Sequence, residues 1–587
     1  MAQTNRRTGS PDGAEGALVL GGVALIAGVV GAVYAAVQLS ASLDDRTLPT
    51  NGFFETFFGV LGGTVPWTPS TSLVLGGEVA LLLLLLVPTL VWWRRRKRRP
   101  TADRAARHMG HGRDLQAQSR RGVQQTAQRL GVSGEPGVPV GRAVAGGTPV
   151  YGSWEDTHID IWGPRTGKTT SRAIPAILAA PGTVLVTSNK RDVVDATRGP
   201  RQSAGQVWVF DPQGIVGERP AWWWNPLDAI TDEVRAAEMA DLWMAYSRAA
   251  DAKTDAFFDS AAQDLLAGLI LAAAEDGRPV TQVYLWLTNP TDDEPAFLLD
   301  QRYPLTAATV RAHVNAPDKQ RGGVYGTALK AASWLTNREA LRWCTGDPQD
   351  GRPRFDVRAF VAQGGTLYML SKEGRGTAGP LVTSMTVAVA NAAEDLAKVS
   401  PGGRLGVPML AVLDEAANVC RWRELPNLYS HYGSRGIIPM TILQSWSQGV
   451  EVWGRDGMRK LWSAANIRVY GGGVSEAEFL REMSELVGDF EVVSTSVNRG
   501  KDGRSTSRQY RETRVLSVAD LASMPKGRAV VFPSGARPVL IRTQPWMTGP
   551  HAEAVQASIA AYDPGAATTI TQARQSADAV AAQEAVR

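Results

Sequence analysis

The chain has 587 residues, enough for two or three domains and a large core. Two cysteines, Cys344 and Cys420, exclude a disulfide framework, and six scattered histidines exclude a His/Cys metal cluster; His108 and His111 lie close together but have no third ligand nearby in the chain. The net charge of +5 is no sign of nucleic-acid binding, because Arg94-Arg95-Arg96-Lys97-Arg98-Arg99 supplies six positive charges and leaves the remainder slightly acidic.

Residues 1–16 are polar and small and contain Arg6 and Arg7. Residues 17–39 carry no charge and would run about 34 Å as a helix, enough to cross a bilayer. A cleaved signal peptide is the competing reading. A retained anchor is favoured because the segment exceeds a signal core and a second span follows. Gly21, Gly22, Gly28 and Gly31 suit close helix packing. Residues 40–71 form a short, weakly acidic loop with an aromatic patch at Phe53-Phe54 and Phe57-Phe58, suited to the membrane interface. The second span is 72–93, with leucines at 81–86 and Glu78 as its only charge. Trp92-Trp93 and the basic run mark its cytoplasmic end. Basic residues flank both spans and the loop between them is acidic, which predicts a multi-pass protein of the cell membrane with both termini cytoplasmic.

Residues 94–140 read as a basic flank and tether with one short helix around Arg113–Leu130. A nucleotide-binding domain begins near Gly141, its first part running over 141–228. Thr157–Trp162 is a β-prone run leading into Gly163-Pro164-Arg165-Thr166-Gly167-Lys168-Thr169-Thr170 and then a helix-compatible segment. Strand, glycine-bearing loop, Lys-Thr and helix is the context of a phosphate loop. The loop Gly163 to Thr170, through its backbone N–H groups (all but Pro164 carry one), would face the phosphates of ATP. Lys168 would neutralise the β and γ phosphates, and the Thr169 hydroxyl would ligate Mg²⁺. The strict pattern needs glycine at the position of Trp162, so the loop is one residue short. A chance Gly-Lys-Thr turn is the alternative for this stretch alone.

Pro175 should kink or shorten the following helix. Thr183–Ser188 and Gln206–Asp211 read as further buried strands of a parallel α/β sheet. Trp222-Trp223-Trp224-Asn225-Pro226-Leu227 either stacks bases or packs under a domain junction, and packing is favoured. Residues 229–345 turn to alanine, leucine and helical periodicity and read as an all-helical insertion. The α/β pattern resumes over 346–550 with a strand at Thr366–Ser371 and a helix through Gly379–Leu396.

Pro408–Glu415 is an apolar run ending in two acids, the form of a Walker B strand. Asp414 would hold Mg²⁺ through water, and Glu415 would polarise the attacking water. Ile437–Gln444 is another strand, and Gln444 at its end is placed either to sense the γ-phosphate or to cap the strand. Asn466–Tyr470, Ala529–Pro533 and Val539–Thr543 complete the strands. Val492–Arg514 holds Arg499, Lys501, Arg504, Arg508, Arg511 and Arg514 and reads as a β-hairpin or mobile loop. It would contact DNA phosphates, reach a neighbouring subunit's nucleotide as an arginine finger, or stand solvated. Residues 551–587 read as a flexible tail, helical in part or disordered.

The order of these features resembles the type IV secretion system coupling proteins, the conjugative DNA-transfer ATPase family, over roughly residues 17–545. Local wording carries it too: Ile174-Pro175 with Ile177-Leu178 after the loop, Asn225-Pro226-Leu227, Leu413-Asp414-Glu415-Ala416-Ala417-Asn418, Gln444, and Leu521–Gly527. The resemblance implies an α/β, RecA-like P-loop NTPase domain with an all-helical insertion, preceded by an N-terminal two-helix transmembrane hairpin. It implies a homo-hexamer with ATP and Mg²⁺ at subunit interfaces and DNA in a central channel. It further implies that the insertion recognises the relaxase-bearing relaxosome and that the hairpin docks on secretion-channel components. Thr187-Ser188-Asn189-Lys190 stands where the family has Asp-x-Lys-Gly, so no catalytic role is carried over to that turn. The competing functions are a protein-secretion or DNA-segregation translocase of the same fold, and a non-hydrolysing membrane adaptor with a degenerate loop.

Overall fold

The computed structural model describes residues 12–49, 52–97, 100–247, 256–346, 349, 351–372, 378–500 and 503–585. It forms two compact units, one ending at Arg99 and one running over Pro100–Ala585.

In the first unit, helices Asp12–Leu43 and Pro69–Lys97 are joined through a short helix, Phe53–Leu61. The two long helices contain the two expected spans and pack on each other, with Ser40 Oγ 2.8 Å from Thr71 Oγ1. Segment Pro69–Thr89 is long and apolar enough to cross a membrane, and Leu81 through Leu86 are all exposed. Of the glycines suited to helix packing, Gly31 faces the Phe53 ring of the short helix, where a Cβ would sit 3.7 Å from it, Gly28 has no neighbour within 4 Å, and the surroundings of Gly21 and Gly22 lie outside the described residues.

The second unit is built on thirteen strands: β1 (Val138–Ala143), β2 (Pro149–Gly152), β3 (His158–Ile161), β4 (Val184–Ser188), β5 (Val207–Phe210), β6 (Thr366–Leu370), β7 (Met409–Leu413), β8 (Ile437–Leu443), β9 (Ile467–Tyr470), β10 (Asp489–Gly500), β11 (Gly503–Arg514), β12 (Arg528–Pro533) and β13 (Val539–Arg542). Eleven of them form one sheet in the order β2-β1-β13-β12-β9-β3-β8-β7-β4-β6-β5. The stretch from β9 to β5 is parallel. Strands β12, β13, β1 and β2 continue it antiparallel, so the sheet is mixed rather than parallel throughout. β3, β4, β6, β7 and β8 are buried at every position, as central strands covered by helices on both faces must be. β10 and β11 pair only with each other in a long antiparallel hairpin, with Asp489 opposite Arg514.

Between β5 and β6, the described residues of 229–345 contain helices and no strand. Helix Ala256–Glu275 passes the same length and apolarity test as a membrane span but is over half buried, and it forms the core of this insertion with Leu265, Leu269 and Ile270 fully covered. Trp222 lies in a ring cluster with Trp208, Phe210, Trp343 and Phe355 that seals the insertion to the sheet, so packing accounts for it.

Two segments are more ordered than expected. Residues 100–130, read as a tether, bury Ala102, Ala105, Ala106, Met109, Leu115 and Val123, and Asp103 accepts two hydrogen bonds from Arg528 at 2.7 and 2.9 Å. Residues 551–585, read as a tail either helical in part or disordered, form helices Ala552–Tyr562 and Ala566–Ala585. The first packs Val555 and Ile559 against Ile174 and Ala196, while Ser558 Oγ donates to Asp195 O at 2.6 Å.

Candidate nucleotide site

β3 delivers the chain to the loop at the carboxyl end of the parallel strands, where an α/β sheet binds its ligands. Trp162 N donates to Leu443 O and Gly163 N to Gly472 O, both at 2.9 Å. Thr166 Oγ1 closes the turn by donating to Gly163 O at 2.6 Å. Arg165 at φ 60° and Gly167 at φ 97° take the left-handed conformations that turn N–H groups inward. The strict motif's missing glycine now has a physical account. The Trp162 ring lies against Gly471, where a Cβ would sit 2.0 Å from it. Close approach falls instead to Gly163, whose Cβ would sit 2.0 Å from Gly473 O. The triple Gly471-Gly472-Gly473, with φ of 79° and 77° at its last two members, is therefore part of the site, and sequence reasoning passed over it. Beyond Lys168, Thr169–Ala173 forms a π turn before helix Ile174–Ala179 begins. A π turn takes in one residue more than an α turn, the same number the loop lacks.

β7 lies between β4 and β8 and ends at Leu413, presenting Asp414 and Glu415 to the loop. Glu415 has φ 54°, a strained conformation for a glutamate and one that recurs at functional sites. Lys168 Nζ lies 3.1 Å from Asp414 Oδ1, an ion-pair contact that falls short of an aligned hydrogen bond, and it donates to Glu415 Oε1. Gln444 Nε2, at the end of β8, donates to the same Glu415 oxygen at 2.7 Å. Thr187 Oγ1, from β4, donates to Asp414 O at 3.3 Å. Lys168, Asp414, Glu415 and Gln444 thus meet in one place. The side chains of Asp414 and Glu415 are 4% and 1% exposed. Burial raises the Asp414 carboxyl to about 6 even though Lys168 pulls it down. Burial opposes the charge on Lys168, but Asp414 and Glu415 outweigh it and hold the ammonium's pKa above its ordinary value. Asp192, beyond β4, is raised by burial and adds to the negative field on Asp414.

Glu415 Oε2 is buried and has no hydrogen-bond partner among the described residues. Two carboxylates against one ammonium leave the site one negative charge in excess. That suits a cation brought in with phosphates. Among the described residues no three His, Cys, Asp or Glu side chains group to hold a metal alone. Such a site fits Mg²⁺, which keeps its waters and substrate oxygens, better than a protein-only cage. Thr169 opens the π turn, and Thr170 Oγ1 donates back to Gly167 O at 3.1 Å. Pro164 and Arg165 are exposed, and Thr166 through Thr170 half-buried, so the loop is open to solvent.

A second buried cluster was not anticipated. Arg172, in the π turn, is fully buried and donates from Nε to Asp160 Oδ2 at 2.6 Å and from Nη2 to Asp160 Oδ1 at 3.2 Å. Its Nη1 donates to Pro139 O at 2.7 Å, and Nη2 faces His158 Nδ1 at 3.3 Å. Burial first and Arg172 second hold His158 neutral, so Nδ1 accepts. One side chain thereby ties the helix after the loop to β3 before it and to β1. The signal in the sequence was a pair of charges, Asp160 and Arg172, inside otherwise apolar elements.

The remaining sequence candidates lie apart from this cluster. Arg508, Arg511 and Arg514 are exposed on the hairpin, with Arg514 paired to Asp489 at 3.3 Å, while Lys501 falls outside the described residues. His108 stacks on Phe490 at the hairpin base, 3.9 Å between ring centroids. Cys344 and Cys420 are buried free thiols. A cavity of about 600 Å³ between Asp228, Arg235, Arg354 and Asp395 contains no residue of the loop or the acid pair. The chemistry of the Lys168 contacts outweighs its size as a guide to function.

Sheet order, loop and acid pair define a nucleotide-binding α/β protein with a mixed sheet. The family model described as the TraM recognition site of TraD and TraG matches residues 408–526. A probable conjugal transfer protein TraG of Sinorhizobium fredii (strain NBRC 101917 / NGR234) is 24% identical over 416 residues, 66% of this chain and 62% of that protein. The chain therefore spans under two thirds of that relative's length. Among solved structures, the bacterial conjugative coupling protein TrwBdeltaN70 in its unbound monoclinic form aligns with TM-score 0.51 and 18% identity over 69% of this chain and 88% of that one. The plasmid coupling protein TrwB in complex with ADP and Mg²⁺ aligns with TM-score 0.50 and 18% identity over 68% and 87%. The chain is a relative of the type IV secretion coupling proteins. The TraM-recognition match lies outside the helical insertion, to which the resemblance had assigned relaxosome recognition.

Proposed function

We propose that this chain is a membrane-anchored, RecA-like ATPase that couples ATP hydrolysis to DNA transfer through a conjugation channel, working as a homo-hexamer. The observation that carries the reading is Lys168, held between Asp414 and Glu415 at the mouth of a strand–loop–helix turn. Nucleotide phosphates would be held by Lys168, which would free Asp414 to hold Mg²⁺ and Glu415 to orient water. Mg²⁺ would be held by Thr169 and, through water, by Asp414, and it would neutralise charge on the transferred phosphoryl group. Glu415 orients the attacking water, and Gln444, already bonded to Glu415, relays the presence of the γ-phosphate. The exposed apolar helix Pro69–Thr89 supports a membrane anchor made with the first long helix, both termini cytoplasmic. The match over 408–526 supports a relaxosome contact on the second half of the sheet. The basic hairpin is a candidate contact for DNA phosphates or, as an arginine finger, for a neighbouring subunit's nucleotide.

The test uses the full chain in lipid discs. Lys168→Ala should abolish ATP turnover while folding and membrane insertion persist. DNA at low salt should stimulate the wild-type rate, and the stimulation should fade as salt rises. Wild-type turnover in Lys168→Ala would refute the site. Turnover indifferent to DNA, with no DNA binding at low salt, would refute the cargo.

A further inference from the structure

The short segment after β9 touches the nucleotide site at two places. At its start, Gly471-Gly472-Gly473 lies against the phosphate loop, with Gly163 N donating to Gly472 O at 2.9 Å. At its end, Glu476 stands just before helix Ala477–Val487, where a side chain ordinarily caps its own helix, yet it makes no such bond. Its carboxylate turns instead to helix Trp446–Ala464: Oε2 accepts from Trp446 N at 2.8 Å and Oε1 from Ser447 N at 2.9 Å. These N–H groups open that helix and have no partner within it, and a carboxylate there also meets the positive end of the helix dipole. Phe479, in the first turn of Ala477–Val487, stacks on Trp446 with ring centroids 5.3 Å apart, so the two helix starts are joined twice. The helix held in this way begins two residues after Gln444 and grips it by the backbone. Gln448 Oε1 accepts from Gln444 N at 3.0 Å, and Gln448 N donates to Ser445 Oγ at 3.3 Å. From that anchored backbone Gln444 Nε2 reaches Glu415 Oε1 at 2.7 Å.

We propose that Glu476 is a positioning residue for nucleotide hydrolysis: it fixes the start of helix Trp446–Ala464 and so keeps Gln444 on Glu415, in register with the phosphate loop that rests on the same segment. The inference rests on the reading of Lys168, Glu415 and Gln444 as a hydrolytic site. Glu476 acts through Gln444 and holds no part of the nucleotide. Without its carboxylate, Trp446 N and Ser447 N lose their acceptors, the first turn of the helix loosens, and the Gln444 amide loses its fixed approach to Glu415. The contact of the strap with the phosphate loop is made by the backbone of Gly472 and stays in place, so nucleotide is still held.

The experiment is a double-mutant cycle on the full chain in lipid discs. Steady-state ATP hydrolysis and ATP affinity are measured for Glu476→Ala, Gln444→Ala and the two combined, with Glu476→Gln beside them. Glu476→Ala should slow turnover about fivefold or more and leave ATP affinity within about threefold of wild type. Glu476→Gln keeps one acceptor oxygen at nearly the same size and should lose less. In the double variant, Glu476→Ala should add less than about twofold to the loss caused by Gln444→Ala, because a residue that acts through Gln444 has nothing left to position. Turnover of Glu476→Ala within about twofold of wild type would overturn the proposal. So would losses that multiply in the double variant, or a loss in Glu476→Ala confined to ATP affinity, since either would mark a general loosening of the fold. Wild-type protein that hydrolyses no ATP would sink the hydrolytic reading itself, and this proposal with it.

Discussion

Replacing Asp160 by Asn tests how the phosphate loop is held. The carboxylate of Asp160 is fully buried and takes two hydrogen bonds from Arg172, at 2.6 and 3.2 Å. Asparagine is nearly the same size, so packing is preserved while the Arg172 guanidinium is left buried without its counter-charge. Removing one partner of such a pair costs about 3–5 kcal/mol. Arg172 keeps its bond to Pro139 O and its contact with His158, which argues for the lower figure. A cost of about 3 kcal/mol multiplies local opening roughly 150-fold. Amide hydrogen exchange over 159–179 reads this directly, and exchange there should quicken by about that factor while amides of the helical insertion stay unchanged. Arg172→Met should do the same, and Asp160→Leu with Arg172→Met should recover much of the loss, since an apolar pair strands no charge. Unchanged exchange in Asp160→Asn, or a double variant no better than either single one, would refute the clamp.

Other outcomes follow from the same geometry. Gly163→Ala should weaken nucleotide binding and local stability by about 1–3 kcal/mol, because its methyl would sit 2.0 Å from Gly473 O; a titration with ATP and Mg²⁺ checks it. The affinity for Mg²⁺–ATP should depend on Asp414. Its carboxyl titrates at about 6, so the binding-competent carboxylate is present above that pH and lost below it. Affinity should therefore fall about fourfold from pH 7.5 to 5.5, and Asp414→Asn should flatten that slope. Gln444→Ala should leave ATP affinity within about threefold and slow turnover by about tenfold or more, since its bond is to Glu415 rather than to the loop.

The parallel part of the sheet was legible because its strands are continuous apolar runs, as in Met409–Leu413 and Ile437–Leu443, which nothing but a doubly covered sheet accommodates. β1 and β2 were not. Val138–Ala143 contains Pro139 and Gly141, and Pro149–Gly152 is four residues long, so neither shows a strand period. β1 joins the sheet by antiparallel pairing with β13, hundreds of residues away, and β2 is held on β1. The C-terminal helices were read as a tail because Val555 and Ile559 are a thin stripe in alanine-rich chain. What seats them is a complementary surface at Ile174 and Ala196. Lys168, Asp414, Glu415 and Gln444 could be named because motif chemistry fixes residue type and order. Gly471-Gly472-Gly473 could not, because a glycine triple reads as linker until another backbone is found against it. Arg172 and Asp160 were hidden for a similar reason: a lone charge in an apolar run is uninformative until its partner is known.

The central claim is that Glu415 activates water on a nucleotide held by Lys168. Steady-state ATP hydrolysis by Glu415→Gln, measured beside ATP affinity on the same full-length preparation, tests it most directly. The account predicts affinity within about threefold of wild type and turnover reduced about 100-fold or more. Turnover at the wild-type rate, with nucleotide still bound, would contradict it.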